Sequence, residues 1–211
     1  MLLADDHSIF LAGVRKLIED QCEVVGTVED GRALLEAAER LKPELILLDI
    51  SMPLLNGLEA ARHLKKTLPE TKLLFLTMHS SPRYATEVFK VGAHGFLLKQ
   101  SAASELPQAI TALMEGKHYL TPSIAKPVID QALKLEEAPA IKGVAKKLTP
   151  RQREILQLIG EGKGTKQIAT LLDVSVKTVQ FHKTCLMQEL DLHTTAALMR
   201  YAMAQGLASA E

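Results

Sequence analysis

Tryptophan is absent from this chain, aromatic residues make up only 4% of it, and cysteine occurs twice, as Cys22 and Cys185. The two cysteines are far apart and belong to no Cys-x-x-Cys pair or zinc-ligand spacing, which excludes a disulfide framework and leaves two reduced thiols. Long apolar runs are missing too. The longest, such as Leu45–Leu48, fall far short of a bilayer span, and no charged stretch followed by an apolar one opens the chain. A cytoplasmic protein without a membrane partner is expected. Net charge is also lacking, with 25 basic and 25 acidic residues, but only in total. Residues 1–141 hold 15 Lys and Arg against 19 Asp and Glu, net −4, whereas residues 142–211 hold 10 against 6, net +4. An acidic part joined to a basic part predicts that the tail alone meets a polyanion such as DNA. Composition is otherwise that of an ordinary globular protein, with 47% hydrophobic and 24% charged residues, and 211 residues suit two domains of unequal size.

Through the first 120 residues, short apolar runs alternate with helical patterns. Leu2–Ala4, Val24–Val25, Leu45–Leu48, Leu73–Leu76 and Gly95–Leu98 read as five buried strands. Ile9–Asp20, Arg32–Leu41, Leu58–Leu68, Arg83–Val91 and Ser104–Glu115 carry apolar residues at three- and four-residue spacing, as helices do. A repeated β-α unit with strands buried on both faces predicts a doubly wound, five-stranded parallel sheet. Gly116 ends the fifth helix, Tyr119–Pro122 reads as a break, and Ile124–Leu135 is a short amphipathic stretch. Glu136–Gly143 lacks periodicity and carries Pro, Gly and charge, the marks of an exposed linker. The expected organisation is a domain over 1–120, a linker with a short helix over 121–147, and an all-α domain of four helices over 148–211.

In such a sheet ligands bind beyond the carboxyl ends of the strands, where strand order reverses. The residues leaving the strands are unusually polar: Asp5 and Asp6 after the first, Asp49 after the third, Thr77 at the fourth and Lys99 after the fifth. Acidic residues there can simply cap helices. Three carboxylates converging in one cleft, however, repel one another unless a cation neutralises them, and oxygen ligands suit hydrated Mg²⁺. Thr77 and Lys99 add a hydroxyl and an ammonium, which a phosphoryl group carried on a carboxylate requires.

With Leu2–His7, Leu47–Gly57, Leu76–His79 and Phe96–Lys99 in this order, residues 1 to about 120 resemble the flavodoxin-like receiver domains of NarL/FixJ response regulators. The resemblance implies that Asp49 accepts phosphoryl from a sensor histidine kinase, and that Asp6, Asp49 and the Ser51 carbonyl hold Mg²⁺ with Asp5 assisting. It also implies that Lys99 pairs with a phosphoryl oxygen, and that Thr77 moves toward the phosphate while the Phe96 ring turns inward behind it. Pro53 and Gly57 bracket the loop after Asp49, where glycine can supply a positive φ. Met78 is bulky beside the phosphoryl position, which predicts slow autodephosphorylation. The first strand, preceded by so few residues, is expected to be a stub at the centre of the sheet.

The C-terminal part opens with Thr149 as a cap and Pro150 at the first helical position. Gly160, Gly162 and Gly164 precede Lys166–Leu172, and Asp173–Ser175 separates that helix from one starting near Val176, with Ser175 as N-cap. Helix, short turn, helix is the shape that sets a second helix into the major groove. On a helical wheel Val179, Leu186 and Leu190 share the inward side of Val176–Leu190, with His182 and Lys183 at its margins. Lys177, Gln180, Phe181, Thr184 and Gln188 face outward; a solvated face would be polar too, but the exposed Phe181 fits that poorly. Leu148–Leu156, Lys166–Ala169, Val174–Val179 and Leu190–Thr194 resemble the LuxR-type helix-turn-helix. That resemblance implies contacts to double-stranded DNA by Lys177, Thr178, Gln180, Phe181, Lys183 and Thr184. Asp191 stands where the family usually has Gly at the end of the recognition helix, and Thr195–Gln205, with Ala197, Leu198 and Tyr201 on one side, resembles its dimerisation helix.

These readings together predict a two-component transcription regulator, not an enzyme, that binds DNA as a dimer when phosphorylated, with RNA polymerase a further candidate partner. Two arrangements fit equally: an acidic receiver covering the basic reader until phosphorylation, or a constitutive dimer that reorients. Two rival readings fit less well. An aspartate-dependent phosphatase would need a second acid two residues after Asp49, where Ser51 stands. A DNA-binding regulator not controlled by phosphorylation would have no use for the Asp, Thr and Lys set.

Overall fold

A computed structural model describes residues 1–137 and 148–208, and these two stretches make up the bulk of two compact units. The linker read over Glu136–Gly143 lies, from residue 138 onward, outside the described residues.

The first unit alternates strands and helices: β1 (Leu2–Ala4), α1 (Ser8–Ile18), β2 (Gly26–Val28), α2 (Gly31–Leu41), β3 (Leu45–Leu48), α3 (Gly57–Thr67), β4 (Lys72–Thr77), α4 (Pro82–Lys90), β5 (Gly95–Leu98), α5 (Ala102–Met114), β6 (Tyr119–Leu120) and α6 (Pro122–Glu137). All pairings are parallel, in the order β2-β1-β3-β4-β5-β6. The doubly wound parallel sheet is therefore present, with a sixth strand where Tyr119–Pro122 was expected to be only a break. Pairing β6 to β5 satisfies backbone groups that an edge strand would otherwise leave open.

Because side chains alternate across a strand, Leu3, Leu45, Leu47, Leu74, Leu76 and Leu97 face α1 and α5, meeting Leu11, Val14, Ile18, Leu106, Ile110 and Leu113 in one core cluster. Leu2, Ile46, Leu48 and Phe75 are fully buried on the alternate positions. Two expectations need correcting. β2 begins two residues later than Val24–Val25, since its register is set by Leu2 opposite Gly26; Val25 is 40% exposed. β1 is indeed only three residues long, but it lies second from the edge, and its pairing on both sides with β2 and β3 keeps so short a strand in place. The amphipathic stretch after Thr121 forms a full helix, α6, which packs against α4 within this unit.

At the opposite end of the sheet from the carboxylates, the His94 ring stacks on His118 at 5.8 Å and its Nδ1 accepts a hydrogen bond from the Leu73 N–H. Burial, with Lys65, His118 and Lys72 nearby, pushes its pKa down from the usual 6.5 to about 4. The unfolded chain therefore binds this proton more readily than the folded one. Stability contributed by neutral His94 is complete above pH 6.5 and is lost as pH falls toward 4. Thermal unfolding of His94→Gln should show a shallower loss between those pH values than the wild type, and equal acid slopes would rule the effect out.

The second unit is helical in its described residues: α7 (Pro150–Gly160), α8 (Thr165–Leu171), α9 (Val176–Leu190) and α10 (Thr195–Ala204). Thr149 and Gln152 cap α7 reciprocally, with Pro150 at the first position. Ser175 caps α9 by accepting from the Thr178 N–H. Ile155, Leu156, Ile159, Ile168, Val179, Leu186 and Leu198 form the core. Asp191 does what a glycine would do at the end of α9, taking a left-handed conformation with φ 52° while its N–H reaches the Met187 carbonyl. Leu198, grouped on the sequence with a dimerisation face, is instead fully buried in this unit's own core, because α10 needs an apolar side to pack on α7.

Candidate functional site

Strand order reverses between β1 and β3, and the register there sets Ala4 opposite Leu48, so Asp5 and Asp49 emerge side by side at the carboxyl ends. The Asp49 N–H donates to the Ala4 carbonyl and the Asp5 N–H to the Val28 carbonyl, which holds both backbones at the crevice. Asp5 and Asp49 are each only 3% exposed, whereas Asp6 is exposed. Two buried carboxylates this close demand a cation.

Lys99 supplies it. Thr77 pairs with Leu98 in the β4–β5 register, so the next residue projects from the same end of the sheet. Its Nζ lies 2.6 Å from Asp5 Oδ2 and 2.7 Å from Asp49 Oδ2, and 4.9 Å above the Phe10 ring. Burial alone would lower the Lys99 pKa, but Asp49 and then Asp5 outweigh it and raise it, so the ammonium stays charged. The second Asp49 oxygen, Oδ1, accepts from the Ile50 N–H at 2.6 Å.

The oxygens of Asp5, Asp6 and Asp49 and a His7 nitrogen lie within 4.8 Å of one another. Carboxylate donors in a half-open cleft fit a hard, hydrated divalent cation such as Mg²⁺. The structure thus brings Asp5, Asp6, Asp49 and Lys99 together. Ser51 lies at the same loop, with its hydroxyl turned to His79 Nε2 at 2.8 Å. Thr77 is fully buried and its Oγ1 accepts from the His79 N–H at 3.2 Å. Phe96 is fully buried as well, on the strand next to that of Thr77. Met78 is 60% exposed at the mouth.

Three neighbours were missed on the sequence. His7 Nδ1 lies 3.0 Å from Asp5 Oδ1 and 2.8 Å from Asp6 Oδ1. His79 joins the loops after β3 and β4 and stacks on Tyr84 at 4.4 Å; burial lowers its pKa, with Asp49 pulling the other way. Phe10 lies under the Lys99 ammonium. His7 and His79 follow strand ends by two or three residues, the same signal that singled out the carboxylates, whereas nothing local marks Phe10.

Comparison with known proteins now decides the class. Residues 1–111 match the response regulator receiver domain, and residues 146–202 match the bacterial regulatory proteins of the luxR family. The chain belongs to the NarL/FixJ response regulators. This regulator is 33% identical to the oxygen regulatory protein NreC of Staphylococcus carnosus, across 98% of either chain. It is 32% identical to the transcriptional regulatory protein MctR of Rhizobium johnstonii, across 99% of its own length and 95% of that protein's. Among solved structures, RcsB of Salmonella enterica serovar Typhimurium bound to a promoter with phosphomimetic BeF₃⁻ superposes with a TM-score of 0.59, at 31% identity over 95% of each chain. An RcsB–DNA complex gives the same TM-score at 30% identity over 96% of each. It is thus a two-component response regulator with a receiver and a DNA-binding domain, in a family of transcription regulators. Among its described residues no helix is long and apolar enough to cross a membrane.

In the regulator's DNA-binding domain, Val179 and Leu186 of α9 are buried, while Lys177, Gln180, Phe181, Thr184 and Gln188 are exposed as one stripe. Thr178 and Lys183 flank it at intermediate exposure, and the Thr178 hydroxyl is engaged with Ser175 at 2.8 Å in the helix cap.

Proposed function

We propose that Asp49 is the phosphoacceptor and that its phosphorylation controls DNA binding by the second unit. The observation that carries this is the buried Asp49 carboxylate held against Asp5 by a shared lysine, at the point where the sheet reverses order. An Asp49 oxygen attacks phosphorus; the O–P bond forms as the N–P bond to the kinase histidine breaks, and the imidazole leaves. Mg²⁺, held by Asp5, Asp6, Asp49 and the Ser51 carbonyl, would supply charge neutralisation at the phosphoryl oxygens. Lys99 is then the cation that pairs with the new charge, having already compensated Asp49 in the resting site. Thr77 and Phe96 lie on neighbouring strands and are the switch residues, since a hydroxyl drawn toward the phosphoryl group frees volume behind it.

The receiver domain corresponds to residues 1–120, with α6 of the segment 121–147 packed on its α4, and 148–211 binds double-stranded DNA through Lys177, Thr178, Gln180, Phe181, Lys183 and Thr184. The exposed stripe of α9 and the net +4 of residues 142–211 support the reading. Binding as a dimer extends from the RcsB dimers seen on DNA.

The test is intact mass after incubation with acetyl phosphate and Mg²⁺, beside Asp49→Ala. One phosphoryl adduct on the wild type and none on the variant is expected. An adduct on both would move the acceptor elsewhere, and none on either would leave a regulator governed by a bound partner.

A further inference from the structure

The exposed stripe of α9 is unusual in its chemistry. At its centre stand an amide, a phenyl ring and a threonine: Thr184 is four residues after Gln180 and three after Phe181, so it neighbours both on the helix surface. Phe181 is 65% exposed, which leaves most of its ring open to meet a base edge. The ring lies edge-to-face with His182 at 5.6 Å, on the same helix, a contact that leaves it unburied. The Thr184 hydroxyl donates its hydrogen to the Gln180 carbonyl at 3.0 Å. It therefore has no proton left for a base, and it adds to the stripe a methyl group and an acceptor. The cations, Lys177 and Lys183, stand at the ends and margin of this cluster, where phosphates lie on either side of a groove.

Base edges discriminate among such groups. Guanine is read most often by Arg or Lys at O6 and N7, adenine by a side-chain amide at N6 and N7, and thymine by apolar contact with its C5 methyl. We propose that α9 reads adjacent A·T pairs, Gln180 taking an adenine and Phe181, with the Thr184 methyl, packing on thymine methyl groups. This rests on the reading of α9 as the groove-entering helix and adds which bases it selects.

The test uses the full chain, treated with acetyl phosphate and Mg²⁺, to select duplexes from a random library. Enrichment of A·T pairs in each half-site is expected. Replacing the contacted thymine by uracil, which removes only the methyl group, should then weaken wild-type binding about fivefold to tenfold and that of Phe181→Ala distinctly less, since only the Thr184 methyl remains to meet it. Because Phe181 is largely exposed, the truncation removes no core contact. Enrichment of G·C at those positions, or an equal uracil effect on both proteins, would overturn the assignment while leaving DNA binding intact. Failure to enrich any sequence would overturn the DNA reading and this inference with it.

Discussion

Gly57→Ala is expected to reduce acetyl phosphate labelling of Asp49 by about a hundredfold and to destabilise the receiver. A β-carbon on Gly57 would sit 2.0 Å from the Asp49 carbonyl oxygen, 2.9 Å from its carbonyl carbon and 3.1 Å from the Ile50 Cα. All three are backbone atoms, so no side chain can swing away. Asn56 ties the start of α3 by accepting from the Glu59 N–H, and the Gly57 N–H donates to the Ile50 carbonyl, so the helix cannot retreat without breaking the loop. The residue pushed is the one that must attack phosphorus, and displacing a reacting group by about 1 Å can cost on the order of 100-fold. Labelling rate by intact mass and the thermal midpoint are the readouts. Gly13→Ala on α1, where a β-carbon meets nothing within 4 Å, is the control and should label as the wild type does. Undiminished labelling of Gly57→Ala would mean that α3 can shift without carrying Asp49.

Lys99→Met should lower stability in the absence of a divalent cation and raise Mg²⁺ affinity about tenfold. Removing the ammonium leaves Asp5 and Asp49, both 3% exposed, without their shared counter-charge, and breaking a buried ion pair from one side costs about 3–5 kcal/mol. The same carboxylates are the proposed ligands of Mg²⁺, and a unit charge about 4 Å away is worth about 4 kcal/mol at an effective dielectric near 20. Solvent reaching the site past exposed Asp6 screens much of that, which brings the expectation down to tenfold. Mg²⁺ should therefore raise the thermal midpoint of the variant more than that of the wild type. Calorimetric titration showing equal Mg²⁺ affinity would indicate that the ion binds away from Asp5 and Asp49.

Most of the architecture was legible because its signals are local. Buried parallel strands announce themselves as short apolar runs such as Leu45–Leu48, the helices between them by their spacing, and the α7 and α9 starts by Thr149-Pro150 and Ser175. Elsewhere contacts beyond the local pattern decided. Val24–Val25 is as apolar as a strand should be, yet pairing with Leu2 moved β2 to Gly26–Val28. A glycine at position 57 suggests a positive φ, but in that loop the positive φ belongs to Leu54, at 63°, and Gly57 is required by the close approach of the Asp49 backbone. Leu198 was apolar on the expected side of α10, and only packing on α7 showed that its own domain uses that side.

The chain alone settled which residue types leave each strand and which side of α9 is polar, since both follow from periodicities of two and 3.6 residues that act over a few positions. Tertiary structure decided that Asp5 and Asp49 share one ammonium and that His79 joins the Ser51 loop. Those depend on strand order and register between segments some 30 to 95 residues apart, which no local pattern encodes.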